Sequence, residues 1–152
     1  MAVFKRILHP SDFSPASAPA FAEAVEAARA NDARLLIMHV LAPVTMVPDV
    51  FLATRIHEPL LRDHRARAQT HLDRLAARAK RRGVRASTLL LDFAVAHERI
   101  VQVAKTRRAH LIVMGTHGRT GFSKMALGSV AERVVALAPC PVLTVRARTS
   151  GR

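Results

Sequence analysis

Residues 110–130 read HLIVMGTHGRTGFSKMALGSV. An apolar run of strand length is followed by a glycine-rich stretch, 115–128, and then by Ser129 at the start of a predicted helix. Glycines let backbone N–H groups approach an anion closely, and the unsatisfied amides of a helix start favour negative charge. The stretch therefore predicts a phosphate-binding loop between a buried strand and a helix.

The rest of the chain repeats this alternation of strand and helix patterns. Apolar runs of strand length recur at 3–8, 34–40, 85–91, 110–115 and 141–146. Within them, 35–38 and 111–114 are apolar on consecutive residues, as in parallel strands that helices cover on both faces. The pattern predicts βαβ units and a doubly wound α/β sheet.

Four helices are predicted between the strands. The first begins near Ser14 and Pro15, the second carries an apolar stripe over 61–79, the third spans 96–108, and the fourth runs from Ser129 to Pro139. Residues 42–58 are predicted to form a long connection with irregular or short helical structure.

Length and composition favour one cytoplasmic domain. The chain has 152 residues, half of them hydrophobic, and a single cysteine, so it needs no disulfide framework. We expect one domain over 1–147 and a disordered basic tail over 148–152. The N-terminus turns polar at His9, too early for a signal peptide, and no apolar run reaches membrane-spanning length.

Basic residues outnumber acidic ones by 24 to 11, which gives a net charge of +13. Such a field attracts polyanions. The basic residues are spread along the sequence, however, and there is no Trp or Tyr to stack on bases. Nucleic acid is therefore not expected as the main partner, and a solvated basic surface is the expected explanation of the charge.

The glycine loop does not fit other phosphate-binding motifs. A P-loop has Gly directly before Lys and Ser or Thr, whereas this chain has Ser123-Lys124-Met125. The dinucleotide fingerprint follows the first strand with G-x-G-x-x-G, and this loop follows the fourth with G-x-x-G-x-x-G. An RNA-binding KH loop joins two helices instead of following a strand.

Gly115-x2-Gly118-x9-Gly128-Ser129 resembles the nucleotide loop of the universal stress protein family. Residues 7–14 are similar to the first strand and acidic turn of that family, and residues 128–143 to its last helix and strand. One departure is Ala94-Val95-Ala96, where the family often has Gly-x-Pro before the third helix.

The resemblance implies a five-stranded parallel sheet in the order 3-2-1-4-5, of the adenine nucleotide α-hydrolase-like type. It also implies an ATP site at the switch point between strands one and four, with Asp12 by the adenosine, backbone of Val40 at the base and Gly115 near the ribose. The implied triphosphate contacts are Gly118, Gly128, Ser129 and Val130. Within the loop, Arg119 is a further candidate for the phosphates, together with His117 and Lys124.

Some of these residues have a simpler interpretation. Asp12 could serve only in a turn, and Ser129 could be only a helix cap. His57, His64 and His71 recur every seven residues and are predicted to form a solvated helix face, because metal-binding pairs on a helix are three or four residues apart. His9 and His39 are expected to have packing roles.

The predicted function is nucleotide-dependent stress signalling with at most slow ATP hydrolysis. Binding of ATP, with Mg²⁺ held by phosphate and water, would order residues 116–127 and alter binding of a protein partner. An exposed edge at strand five predicts a homodimer. The alternatives are a member of the fold that acts without nucleotide, an adenylating enzyme and a polyanion or RNA binder.

Overall fold

The computed structural model describes residues 3–42, 50–92, 94–117 and 127–147, with the backbone alone for 50–57. Strands and helices alternate along the chain, with one 3₁₀ turn, Pro15–Ser17, before the first helix. The elements are β1 (Arg6–Pro10), α1 (Ala18–Ala30), β2 (Arg34–Val40), α2 (Val50–Arg81), β3 (Arg85–Leu91), α3 (Ala96–Thr106), β4 (Leu111–Gly115), α4 (Ser129–Leu137) and β5 (Val142–Val145).

The five strands form one parallel sheet in the order β3-β2-β1-β4-β5, which confirms the predicted fold. From β1 the chain moves outward to β2 and β3, and then returns to pair β4 with the other side of β1. Winding therefore reverses between β1 and β4, where a crevice forms at the carboxyl ends of the strands.

Apolar side chains on both faces of the sheet explain the consecutive apolar runs. On one face, Ile7 and Val113 belong to a buried cluster with Phe21 of α1 and Leu72 of α2. On the other face, Leu8 and Ile112 join a second buried cluster with Ile100 of α3 and Val134 of α4. Met38 and Met114 belong to the same cluster. The helices thus cover the sheet on both sides, as predicted.

Three helix ends share one hydrogen-bonded turn. Asp32, Gly83 and Arg108 have φ values of 47°, 81° and 51°, in the left-handed region. The next residue in each case donates its N–H to a carbonyl five residues back: Ala33 to Ala28, Val84 to Ala79, Ala109 to Ala104. These are Schellman motifs, and they return α1, α2 and α3 tightly to the amino ends of the strands.

Three element boundaries differ from prediction. The first strand begins at Arg6 and extends to Pro10, instead of covering 3–8. The first α-helix begins at Ala18, after the 3₁₀ turn, instead of near Ser14, whose hydroxyl donates to Asp12. The second helix already begins at Val50 and contains Pro59, so residues 50–58 belong to α2 and not to a connection.

Candidate functional site

A cleft of about 560 Å³ lies at the carboxyl edge of the sheet, over the ends of β1, β2 and β4. Its walls come from the turn after β1, from the middle of α2, and from the first turns of α3 and α4. The cleft therefore occupies the switch point of the sheet.

Six of the eight predicted site residues line this one cleft. They are Asp12, Val40, Gly115, Gly128, Ser129 and Val130. These residues come from three strand ends and one helix, so only the fold brings them together. Gly118 and Arg119 lie outside the described residues, as does Lys124.

The N-terminus of α4 opens into the cleft. Gly128 is its N-cap, with φ −62° and ψ 158°, and no side chain of the described residues caps the helix. Ser129 is therefore the first helical residue and not the cap, which corrects the capping interpretation. Helix geometry leaves the N–H groups of Ser129, Val130 and Ala131 without intrahelical acceptors, and all three residues line the cleft.

A backbone hydrogen bond fixes the position of this helix start. The N–H of Gly128 donates to the carbonyl of Thr116 over 2.7 Å, and the N–H of Thr116 donates to the carbonyl of Val145 over 3.0 Å. The end of β4 and the start of α4 are thus joined directly, on either side of residues 117–127.

Asp12 is held in place by the turn that follows β1. Its Oδ1 accepts hydrogen bonds from the backbone N–H and the hydroxyl of Ser14, at 2.9 and 2.6 Å. The predicted turn role is therefore present, and it orients a carboxylate that also lines the cleft.

Phe13 forms the side of the cleft in an uncommon backbone conformation. Its φ is 62°, and a bulky residue there is uncommon unless surrounding contacts hold it. Its ring lies 4.3 Å from that of His39 and 4.8 Å from that of His71, stacked on the latter. His39 Nδ1 also hydrogen bonds the carbonyl of Ser11 at 2.7 Å. This aromatic group joins β1, β2 and α2 at the cleft.

Sequence reasoning missed the contribution of α2. His64, Arg67 and His71 all line the cleft. They are also exposed, in agreement with the solvated face predicted for His64 and His71, but their place at the cleft was not predicted. Their spacing of three and four residues places them on one side of the helix, which was the available signal. The side chain of His57 lies outside the described residues.

Residues 4–146 match the sequence model of the universal stress protein family. The chain belongs to the universal stress protein family. It is 41% identical over 144 residues to a universal stress protein of Thermus aquaticus, covering 95% of this chain and all of that protein. A universal stress protein of Methanocaldococcus jannaschii is 37% identical over 146 residues, which cover 95% of this chain and 83% of that protein.

Solved universal stress proteins share the fold. The structure of UspA from Lactobacillus plantarum superposes with a TM-score of 0.83 at 27% identity, covering 96% of this chain and all of that one. Two more distant members were solved with adenine nucleotides, one with cAMP (TM-score 0.69, 22% identity) and one from Archaeoglobus fulgidus with dAMP (0.68, 20%). They cover 96% and 95% of this chain and 99% of their own chains.

Two histidines near the cleft of this universal stress protein carry buried ring nitrogens without partners in the described part of the chain. They are Nε2 of His117, which lines the cleft, and Nε2 of His9 in β1. The other nitrogen of His117 lies 3.0 Å from the hydroxyl of Thr116. The unpartnered Nε2 of His117 is thus available for a hydrogen bond to a ligand.

His9 is fully buried beside Phe21. Its Nδ1 lies 2.8 Å from the carbonyl of Val113, which can only accept, so this nitrogen carries the proton of the neutral ring. Burial lowers the pKa of His9 from 6.5 to about 4, although the Val113 carbonyl and the Asp12 carboxylate act in the opposite direction. His9 is therefore a neutral structural residue, in agreement with its predicted packing role.

The described residues offer no protein cage for a metal. Within 3–42, 50–92, 94–117 and 127–147, no three His, Cys, Asp or Glu side chains come together as ligands. Nor is any helix in those ranges long and apolar enough to cross a membrane.

Proposed function

We propose that this chain is an ATP-binding universal stress protein whose cleft holds the nucleotide across the switch point. The observation that carries the proposal is the uncapped start of α4, which faces the same cleft as Asp12 and Val40 at the ends of β1 and β2. One end of the cleft thus offers backbone donors to an anion, and the other end offers a carboxylate and strand backbone to a nucleoside.

The phosphates belong at the α4 end of the cleft. The free N–H groups of Ser129, Val130 and Ala131 and the positive end of the helix dipole attract negative charge. The orphaned Nε2 of His117 adds a further polar contact at that end, and Arg67 adds positive charge to the wall of the cleft. Because there are several separate donors, they suit a chain of phosphates better than a single phosphate.

The adenosine belongs at the β1 and β2 end. Asp12 is fixed by Ser14, and a carboxylate there can accept hydrogen bonds from a ribose or base. The stacked Phe13 and His71 rings give that end an aromatic wall. Two distant members were solved with cAMP and dAMP, which supports an adenine nucleotide as the kind of ligand.

Mg²⁺ would be held by the nucleotide. Because no group of protein ligands for a metal is present in the described residues, the ion would bind phosphate oxygens and water. It would offset the phosphate charge, while the chain itself supplies amides. Those amides bind without activating a water molecule, so we propose slow hydrolysis at most.

Nucleotide occupancy is proposed to control a protein partner in the cytoplasmic stress response. Residues 116–127 connect β4 to α4 along the chain. The proposal is that a triphosphate bound at the α4 amides orders this segment. The affinity for the protein partner would then depend on whether ATP is bound.

A homodimer through β5 completes the proposal. This strand forms one edge of the sheet, and its Leu143 is 42% exposed; Val135 and Leu137 of α4 are exposed as well. Unpaired strand edges with apolar side chains favour association with a second copy. Light scattering should find a dimer for the wild type and a monomer for Leu143→Glu; a monomeric wild type at micromolar concentration would refute this arrangement.

The test of the nucleotide site uses the conformation of Gly128. Because its φ of −62° suits any residue, Gly128→Val adds bulk at the α4 amides without straining the backbone. Calorimetric titration should show ATP binding to the wild type and a loss of at least tenfold for Gly128→Val. Ala136→Val, at an exposed position of the same helix, is the matched control and should bind like the wild type.

Denaturation of freshly purified protein, followed by chromatography of the supernatant, identifies any nucleotide that the protein carries. Undiminished binding by Gly128→Val would reject the assignment of the phosphates. No binding by a folded wild type would favour the alternative, a family member that acts without nucleotide.

A further inference from the structure

Basic residues gather at the amino edge of the sheet, opposite the cleft. Arg6, Arg34 and Arg85 begin three adjacent strands, and strand pairing sets Arg6 beside Arg34 and Arg34 beside Arg85. Adjacent strands are about 4.8 Å apart, so the three arginines form a row about 10 Å long. Residues that are distant in sequence therefore become neighbours here.

The turns of the fold explain this row. The Schellman motif after α1 closes at Ala33, and the next residue, Arg34, begins β2. The motif after α2 closes at Val84, and the next residue, Arg85, begins β3. Arg6 is fixed differently, since its Nε donates to the carbonyl of Arg108 over 2.7 Å. The row is thus built from backbone geometry and does not depend on flexible tails.

We name as the basic edge the residues Arg6, Arg34, Lys80, Arg85 and Arg108. Arg34, Lys80 and Arg85 line one open depression of about 670 Å³, whose other lining residues run from Gly83 to Ser87. Arg85 pairs with Asp32 at 3.2 Å, but within the described residues no ion pair joins Arg34 or Lys80 to an acid. Like charges placed side by side on a sheet repel, and an anionic partner would relieve that repulsion.

Helix ends account for part of this charge, but not for Arg34. Lys80 lies in the last turn of α2, where a cation offsets the negative end of the helix. Arg6 and Arg85 donate to the carbonyls of Arg108 and Asp32, just past the ends of α3 and α1. Arg34 makes no such hydrogen bond within the described residues, so its place between the two other arginines calls for a different explanation.

From this arrangement we infer that the basic edge binds the phosphate backbone of nucleic acid, without reading its bases. Arginine forks suit phosphate oxygens, and a row of about 10 Å is long enough to contact more than one phosphate of a strand. No aromatic side chain lines the depression, so base stacking is not available. An acidic membrane fits less well, because the depression also lacks an apolar wedge.

This binding is independent of the proposed ATP site at the opposite edge of the sheet. It should show sequence-independent affinity on the order of 10 μM at physiological salt, with a slope of log affinity against log salt between about −2 and −4. The measurement is fluorescence anisotropy of a labelled 20-nucleotide RNA and a duplex DNA of equal length, titrated with the full chain from 50 to 200 mM KCl.

The decisive variant is Arg34→Glu/Lys80→Glu, which reverses two exposed charges of the basic edge. Its control is Arg74→Glu/Arg133→Glu, which makes the same change in net charge at exposed positions of α2 and α4. We expect at least a tenfold loss of affinity for the first variant and less than a threefold loss for the second at 150 mM KCl. Arg34→Gln/Lys80→Gln, a milder change, should give an intermediate loss if the first variant does not fold.

Several outcomes would overturn the inference. They are a wild type that does not bind at 50 mM KCl, equal losses for both charge-reversed variants, tighter binding to phosphatidylserine vesicles, and equally effective competition by polyglutamate. Gly128→Val should keep its nucleic-acid affinity; if it loses that affinity, the polyanion binds in the cleft and not at the basic edge.

Discussion

The two edges of the sheet are built from the same five strands, but by different kinds of connection. At the amino edge, three helices return through the same Schellman turn, which fixes Asp32, Gly83 and Arg108 in left-handed conformations. At the carboxyl edge the connections differ in length and geometry, and they include the 3₁₀ turn after β1 and residues 116–128 after β4.

The exposure of polar groups also differs between the two edges. The amino edge keeps its charges in water, where Arg34 and Lys80 are exposed. Near the carboxyl edge the orphaned nitrogens of His9 and His117 are buried. Uniform turns thus produce a regular charged surface, whereas varied connections produce a cleft with unmet hydrogen-bonding capacity, which is where ligand binding is expected.

The largest expected effect concerns His9 near the carboxyl edge. The unfolded ring titrates near pH 6.5 and the folded one near 4, so the unfolded state binds more protons in between. Lowering the pH from 7 to below 4 should therefore cost up to about 3 kcal/mol of stability from this residue. Urea unfolding followed by circular dichroism measures this loss.

The control is His9→Leu, which should be less stable at pH 7 because the Val113 carbonyl loses its donor, but should have a shallower acid dependence. An identical slope for this variant and the wild type would show that other groups control acid sensitivity.

The next effect tests the turns of the amino edge. A methyl group at Gly83 would have nothing within 4 Å, so Gly83→Ala tests only its left-handed φ of 81°. We expect a loss of about 1 kcal/mol, and a gain of similar size for Arg108→Gly at the equivalent position of the third turn. Thermal unfolding distinguishes the two. If neither variant changes the melting temperature, the left-handed conformation at these turns does not limit stability.

A smaller effect tests the α2 wall of the cleft and depends on the proposed nucleotide site. Arg67→Ala should raise the Kd for ATP about threefold, since a solvent-exposed cation contributes under 1 kcal/mol. Arg62→Ala is the matched control, because both arginines pair with an acid four residues earlier in α2, Asp63 and Glu58, and only Arg67 lines the cleft. Calorimetry that finds equal effects for both variants would remove Arg67 from the site.

The smallest effect concerns repulsion within the basic edge. Arg34→Gln should stabilise the protein by about 0.5 kcal/mol at 20 mM salt, and the gain should nearly vanish at 500 mM. Urea unfolding at both salt concentrations measures it. A destabilised variant at low salt would mean that Arg34 makes a favourable contact that outweighs the repulsion from Arg6 and Arg85.

The fold was predictable because its signals are local. Consecutive apolar residues at 111–114 indicate a strand covered on both faces, and Gly83 marks a helix end directly. The strand order came from the family resemblance. The start of α2 at Val50 was not predicted, because it lies within residues 42–58, for which the sequence predicts a long connection.

The site was predictable only where its residues follow strand ends. Asp12 and Gly115 were expected to meet because parallel strands end at one edge, and the family resemblance added Val40; all three line one cleft. His64, Arg67 and His71 reach the cleft through packing of α2 beside Phe13, a tertiary contact with no local signal beyond helical spacing. The basic edge was missed for the same reason, since arginines that are spread along the chain align only when strands pair.

The hydrogen bond between Gly128 and Thr116 has a consequence for evolution. It joins the end of β4 to the start of α4, on either side of residues 117–127, through backbone groups alone. The entropy of closing such a loop changes by only about 0.6 kcal/mol for each doubling of length. Insertions, deletions and new sequences can therefore be tried inside the loop while the strand and helix that it connects keep their places.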